Sequence, residues 1–183
     1  MASPLKSAAK SDSPDSRPRR LIVGISGASD IVYGVRLLQV LRAVGIETHL
    51  VMSKSAEVTL AYETELKVAA VKALAHTVYR NTDMAAAISS GSFKTNGMII
   101  APCSIRTVSE IATGVTSSLL SRAADVVLKE RRRLVLMVRE SPLHTGHLRT
   151  LTQASEIGAI IAPPLPGFYA RPQSIDELVD HTI

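Results

Sequence analysis

L-I-V-G-I-S-G-A-S-D-I-V-Y-G, residues Leu21 to Gly34, is the stretch whose reading decides the fold. The apolar run Leu21-Ile22-Val23-Gly24-Ile25 reads as a short buried strand, and Ser26, Gly27, Ala28 and Ser29 turn the chain. From Asp30 a helix is expected, because Val32, Val35, Leu38 and Leu41 recur at helical spacing. A strand, a small-residue turn and a helix start together form a place where an anion can bind. Glycine lets the backbone approach, the first helical N–H groups lack partners, and the helix dipole favours negative charge. The spacing is not G-x-G-x-x-G, so the stretch indicates phosphate or carboxylate rather than a dinucleotide. A plain strand-to-helix turn is the alternative reading.

Outward from this stretch the same alternation repeats. Strands are expected at residues 47–52, 97–101, 134–138 and 159–162. Between them lie helices starting after Ser53, around Val68–Ala75 and Asp83–Ser89, at Thr107, over Ser117–Glu130 and over Leu143–Ile157. Ser174, with Glu177 three residues on, is expected to cap a last helix as a capping box. Gly45 and Gly158 are read as helix stops. Strand–helix alternation implies crossovers and a parallel sheet, hence a single α/β domain of Rossmann-like or flavodoxin-like type: a three-layer sandwich with a mainly parallel sheet. The domain is expected over residues 21–183. Residues 1–20, rich in Ser, Pro, Ala and Lys, read as a disordered arm without the apolar core of a secretory signal.

Composition agrees. Of 183 residues, 46% are hydrophobic but only 3% aromatic, so the core is built from Val, Ile, Leu and Ala, as suits a parallel sheet covered by helices. The single cysteine fits a reducing compartment, and a cytoplasmic protein is expected. No apolar run approaches the roughly 18 residues of a membrane helix, so no membrane partner is expected. The net charge of +5 is partly local, in Arg17, Arg19 and Arg20 and in Arg131, Arg132 and Arg133. With few aromatics to stack bases, small anionic ligands account for it better than nucleic acid.

Each expected strand ends in a polar cluster: Ser26-Gly27-Ala28-Ser29, Ser53-Lys54, Cys103-Ser104 with Thr107, Arg139-Glu140, and Gly167-Phe168-Tyr169. In a doubly wound sheet these ends open on one edge, where such folds bind ligands. Ser53, Ser104 and Thr107 stand at helix starts, where hydroxyls and free N–H groups share an anion, or simply cap the helix. Arg139 directly after an apolar strand needs a partner; Glu140 is either that partner or a proton carrier. Cys103 reads as a buried thiol rather than a nucleophile, and His49 as structural. His76, His144, His147 and His181 make no ligand pattern, so no metal is expected.

The motifs G-I-S-G-A-S, H-L-V-M-S-K, P-C-S-I-R-T, S-R-A-A-D-V-V-L-K-E-R-R, V-R-E-S-P-L-H and P-P-L-P-G-F-Y-A-R-P-Q-S follow in order from Arg20 to the end. In them the chain closely resembles the UbiX/Pad family of flavin prenyltransferases. The resemblance implies a homododecamer with sites shared between subunits. It implies transfer of a dimethylallyl group from dimethylallyl phosphate to N5 and C6 of reduced FMN, without a metal. The product would be prenylated FMN, the cofactor of UbiD-type decarboxylases. By the same resemblance Gly27, Ala28, Ser29, Ser53, Ser104, Ile105, Arg106, Thr107 and Arg139 contact the flavin. Arg122, Lys129, Arg139 and Tyr169 hold the prenyl phosphate, and Ser29, Glu63, Glu140 and Tyr169 carry the chemistry.

Two departures from the family pattern bear on activity. Asp30 stands where the family has glycine, adding negative charge beside an anion site. Family members also continue past the position of Ile183 with a basic residue that contacts the prenyl phosphate. Two other readings remain beside the transferase. One is a flavin carrier or companion subunit with weakened catalysis. The other is a flavin-dependent cysteine decarboxylase of the same fold, although the Asn-containing motif of those enzymes is replaced here by Pro102-Cys103-Ser104-Ile105-Arg106-Thr107.

Overall fold

The computed structural model describes residues 19–183; most of the expected N-terminal arm lies outside them. Among the described residues six strands form one sheet: β1 (Arg20–Ile25), β2 (Glu47–Met52), β3 (Thr77–Arg80), β4 (Gly97–Cys103), β5 (Arg133–Val138) and β6 (Ala159–Ile161). Their order is β3-β2-β1-β4-β5-β6 and every neighbouring pair is parallel. The helices are α1 (Val32–Ala43), α2 (Lys54–Glu63), α3 (Val68–Lys72), α4 (Ile105–Thr113), α5 (Leu119–Lys129), α6 (Thr145–Glu156) and α7 (Ile175–Thr182).

The two-residue period of the strands sorts their side chains onto two helical layers. Val23, Ile25, Leu50 and Met52 pack with Val35 and Leu38 of α1, Leu60 of α2 and Val71 of α3. Ile22, Val51, Met98, Ile100, Leu134 and Leu136 pack with Val108 and Ile111 of α4, Leu120 and Val127 of α5 and Ala154 of α6. Both faces of the sheet are thus covered, and a chain almost without large aromatics fills them with branched aliphatics. The last helix, α7, lies against α1, where the Arg36 guanidinium pairs with Asp180.

The α/β three-layer architecture agrees with the expectation, and four details differ. β1 begins at Arg20, whose backbone N–H donates to Asn96 Oδ1 over 2.9 Å, so the sheet takes in one residue assigned to the arm. A sixth strand, β3, lies in the stretch read as irregular; it is a four-residue edge strand, too short for its alternation to stand out. The helix expected over Asp83–Ser89 is only a 3-10 turn at Ala87–Ser89. Asp30 does not start a helix. It sits in the left-handed region at φ 67°, and α1 begins two residues later. Glycine is the residue with no penalty there, and aspartate is among the side chains that tolerate it best.

The order β2-β1-β4 places a topological switch point between β1 and β4, because the chain leaves β1 towards one side and later returns to its other side. Helix α1 passes over this point so closely that a Cβ at Gly34 would lie 2.3 Å from the Ala101 carbonyl oxygen and 2.9 Å from Ile25 Cδ1. Replacing Gly34 by alanine would gain about 1 kcal/mol of helix propensity. It would also force α1 off a backbone carbonyl that cannot rotate away, at about 1–3 kcal/mol. Gly34→Ala is therefore expected to lower the urea midpoint of unfolding, although the same change stabilises an isolated helix.

Candidate active site

Four strand ends are laced together at the switch point. The Ser26 hydroxyl, buried, donates to the Pro102 carbonyl oxygen (3.1 Å) and accepts from the Ser104 N–H (2.7 Å). The Ser26 N–H also donates to Pro102 O (3.2 Å), the Ser53 N–H to Ile25 O (3.0 Å) and the Arg139 N–H to Cys103 O (3.0 Å). The ends of β1, β2, β4 and β5 are thereby held in one edge. Ser26 was read from sequence as part of a turn and of the polar cluster at the ligand edge; in the structure its hydroxyl is spent on Pro102 O and Ser104 N–H and joins β1 to the start of α4.

Two helices start side by side on this edge. Ser53 caps α2, its Oγ accepting from the Ala56 N–H (3.1 Å). Ser104 caps α4, its Oγ accepting from the Thr107 N–H (3.4 Å) and lying 3.1 Å from the Thr107 hydroxyl. Both serines cap, as their position alone makes common, and each helix keeps further first-turn N–H groups that no intrahelical carbonyl can reach. Between the two helix starts lies a cleft of about 460 Å³. Gly27 forms its floor, Ser53, Lys54 and Ser55 one wall, Ser104, Ile105, Arg106 and Thr107 the other, and Asn81, Ser118, Leu120 and Glu140 its rim. A Cβ on Gly27 would stand 2.2 Å from Ser55 Cβ, so only glycine lets the β1 turn and α2 meet here.

The third helix start behaves differently from the sequence expectation. The N–H groups of Asp30 and Ile31, at the head of α1, donate to the two carboxylate oxygens of Glu63 over 3.1 and 2.8 Å. This helix terminus, expected to receive a ligand anion, already holds an internal one. Glu63 satisfies the orphan donors and the dipole from 32 residues away, a pairing no local pattern could announce. Next to it the Arg139 guanidinium pairs with the Asp30 carboxylate rather than with Glu140. That hydrogen bond, and the charge behind it, holds the Arg139 pKa above its ordinary value.

Of the residues assigned from sequence, the cleft brings together Gly27, Ser53, Ser104, Ile105, Arg106, Thr107 and Glu140. Ala28 and Ser29 belong to the adjoining β1 loop and Arg139 to the end of β5, with Ala28 buried, while Glu63 is the last residue of α2. Arg122 and Lys129 do not line this cleft. Arg122 pairs with Asp125 (2.8 Å), and Lys129 pairs with Glu130 (2.6 Å) at the far end of α5, about 16 Å along the helix from its start. Tyr169 stands on a 3-10 turn, Phe168–Ala170, 85% exposed, its hydroxyl 2.8 Å from His181 Nε2.

Sequence reading missed Ser55, Asn81 and Ser118 as cleft residues. Asn81 follows β3, the strand that was not foreseen, and its Oδ1 and carbonyl accept from Leu120 N–H (3.0 Å) and Leu119 N–H (2.8 Å), fixing the start of α5. Cys103 is fully buried and its thiol pKa is pushed up by desolvation, so it is no nucleophile. His49 is structural, with Nδ1 2.9 Å from the Tyr79 hydroxyl and Nε2 2.8 Å from Glu47 Oε1.

The donor set fits a flavin mononucleotide. Hydroxyls and two helix N-termini suit its phosphate, and the apolar wall of Ile105 and Leu120 suits a ring system. The comparisons with known proteins agree. The family model described as Flavoprotein matches residues 9–183. Flavin prenyltransferase UbiX of Escherichia coli K12 is 63% identical over 166 residues, covering 90% of this chain and 88% of that protein. The crystal structure of AnUbiX in complex with FMN and dimethylallyl pyrophosphate superposes with a TM-score of 0.90 at 49% identity, covering 91% of this chain and 88% of that one. A dodecameric FMN-dependent UbiX-like decarboxylase from Escherichia coli O157:H7 matches with a TM-score of 0.87 at 49% identity, over 89% of this chain and 90% of that one. On this identity and coverage, the chain belongs to the UbiX family of flavin prenyltransferases.

Proposed function

We propose that this chain transfers a dimethylallyl group from dimethylallyl phosphate to N5 and C6 of reduced FMN, making prenylated FMN for a UbiD-type decarboxylase. The observation that carries the reading is the cleft between α2 and α4, two capped helix starts over a glycine floor, in a chain 63% identical to a flavin prenyltransferase. Gly27, Ser53, Ser104 and Thr107, with the N–H groups that follow the two caps, hold the flavin phosphate; Ile105, Arg106 and Leu120 border its ring. Bound reduced FMN supplies the nucleophilic positions. Arg139 at the mouth binds the prenyl phosphate and stabilises the charge that grows as the C–O bond breaks and its electrons leave on phosphate. Glu140, on the rim, exchanges the proton that the new bond at C6 displaces. Ser29, from the β1 loop, and Glu63, from the end of α2, act beside it.

Arg122, Lys129 and Tyr169 complete the site from neighbouring subunits in a homo-oligomer of dodecameric form. Two facts support this. Within one chain they stand apart from the cleft, and Tyr169, Phe168 and Leu165 together leave apolar surface in solvent. A cytoplasmic place of action fits the one buried, unpaired cysteine. The Asp30–Arg139 pair favours a second reading, a flavin carrier with weakened catalysis, because it engages the guanidinium the transferase needs.

Anaerobic incubation with reduced FMN and dimethylallyl phosphate, followed by mass spectrometry of the flavin, is expected to show a gain of one dimethylallyl unit. Bound but unmodified FMN would decide for the carrier, and no bound flavin would remove the site. Gly27→Ala is expected to weaken FMN binding about tenfold or more, read by quenching of flavin fluorescence, with the far-ultraviolet circular dichroism unchanged. Glu140→Gln is expected to lower kcat about 10²- to 10⁴-fold while leaving FMN affinity within about twofold. Mixed oligomers of Glu140→Gln and Tyr169→Phe chains should regain part of the activity that each variant alone lacks. No regain would mean that Tyr169 serves its own chain's cleft.

A further inference from the structure

The β1 turn and the β5 end face each other across the switch point, and one ion pair spans them. Asp30, at φ 67°, directs its carboxylate to the Arg139 guanidinium 109 residues further along. The pair is accessible, with 41% of the Asp30 side chain and 37% of the Arg139 side chain exposed. Its geometry is set from behind on both sides. The Asp30 backbone is fixed by the Glu63 carboxylate, which takes the N–H groups of Asp30 and Ile31, and the Arg139 backbone is fixed by its N–H bond to Cys103. Neither backbone has to move for the two side chains to part. The cleft of α2 and α4, by contrast, is lined by neither residue. The molecule therefore has two distinct anion-binding places. One consists of helix N-termini and hydroxyls, with Glu110 and Glu140 among its lining; the other is a guanidinium already holding a carboxylate.

We propose that Asp30 is an internal counter-anion which a phosphorylated prenyl donor must displace from Arg139, so that it sets the affinity and charge selectivity for the donor and not for FMN. This rests on the assignment of Arg139 to the prenyl phosphate. A phosphate ester near neutral pH carries more charge and more acceptor oxygens than a carboxylate and wins the fork of the guanidinium. A singly charged carboxylate ligand meets an equal competitor tethered in place and is held out. Asp30 thus does more than put negative charge beside an anion site: it gives the free arginine a partner and makes the site answer to dianions.

The test is titration of dimethylallyl phosphate into the FMN-loaded protein, by calorimetry, for the natural chain, Asp30→Asn and Asp30→Gly. Both replacements tolerate the left-handed backbone, so the turn is kept. Loss of one screened competitor charge is expected to tighten donor binding about fivefold in both variants. The FMN dissociation constant should stay within twofold, and the difference should shrink in 1 M salt, where the Debye length is about 3 Å. Acetate should compete measurably with the donor in the variants and not in the natural chain. Donor affinity unchanged or weakened in Asp30→Asn would overturn the proposal, as would an equal change in FMN affinity. Flavin mass measured on the same samples separates this from the transferase reading. Tightened binding without prenylation supports the role of Asp30 and removes the transfer reaction, whereas prenylation with unaltered donor affinity does the reverse. No donor binding in any of the three proteins overturns both.

Discussion

The buried hydroxyl of Ser26 is the contact on which the site depends. It donates to Pro102 O and accepts from Ser104 N–H, and so joins the end of β1 to the end of β4 across the switch point. A hydroxyl can do both at once, whereas a backbone group in that place could do only one. Without it the Ser104 N–H would lose its partner, a cost of about 1–3 kcal/mol, while Pro102 O would keep the Ser26 N–H. The start of α4 would also lose its position relative to Gly27. Because Ser104 in turn caps α4, the placement of one helix of the cleft descends from this side chain.

Around that join, charge is divided between internal and external anions. Three helix starts meet the edge, yet the head of α1 is satisfied by Glu63 and the nearby Arg139 by Asp30. The starts of α2 and α4 carry their own serine caps, and Glu57 in the first turn of α2 is paired with Lys72. A helix dipole is equally well served by a side-chain carboxylate or by a ligand phosphate. The function proposed above places the flavin phosphate at α2 and α4, whose starts carry serine caps where the start of α1 holds the Glu63 carboxylate. The same logic makes the β1 turn, which looks from its small residues like the anion site, chiefly a steric element. Gly27 lets Ser55 approach, and Gly34 lets α1 cross β4.

Membership in the UbiX family accounts for what one chain lacks. Lys129 lies at the opposite end of α5 from the cleft, Arg122 is engaged with Asp125, and Tyr169 projects into solvent held by His181. The proposed sharing of sites between copies would bring such residues to a cleft, and a relative at a TM-score of 0.87 is a dodecamer. The cleft of one chain is lined by neither Arg122, Lys129 nor Tyr169, the residues proposed for the prenyl donor.

What the sequence by itself determined is local in kind. The apolar run Leu21–Ile25 followed by small residues, the serines at positions 53 and 104, and the alternation of strands with helices are all short-range patterns. They fixed the α/β class, the parallel sheet, both serine caps at the cleft and half of the cleft lining. Short-range pattern failed where only a few residues carried it. The four-residue edge strand β3 went unseen, and Asn81 behind it with it. Only the tertiary structure decided which acid met which donor. Glu63 reaches the head of α1 across 32 residues, and Asp30 reaches Arg139 across 109. The physical reason is that hydrogen-bond partners at a sheet edge are set by strand order, and the order β3-β2-β1-β4-β5-β6 brings together loops whose separation along the chain says nothing of their separation in space.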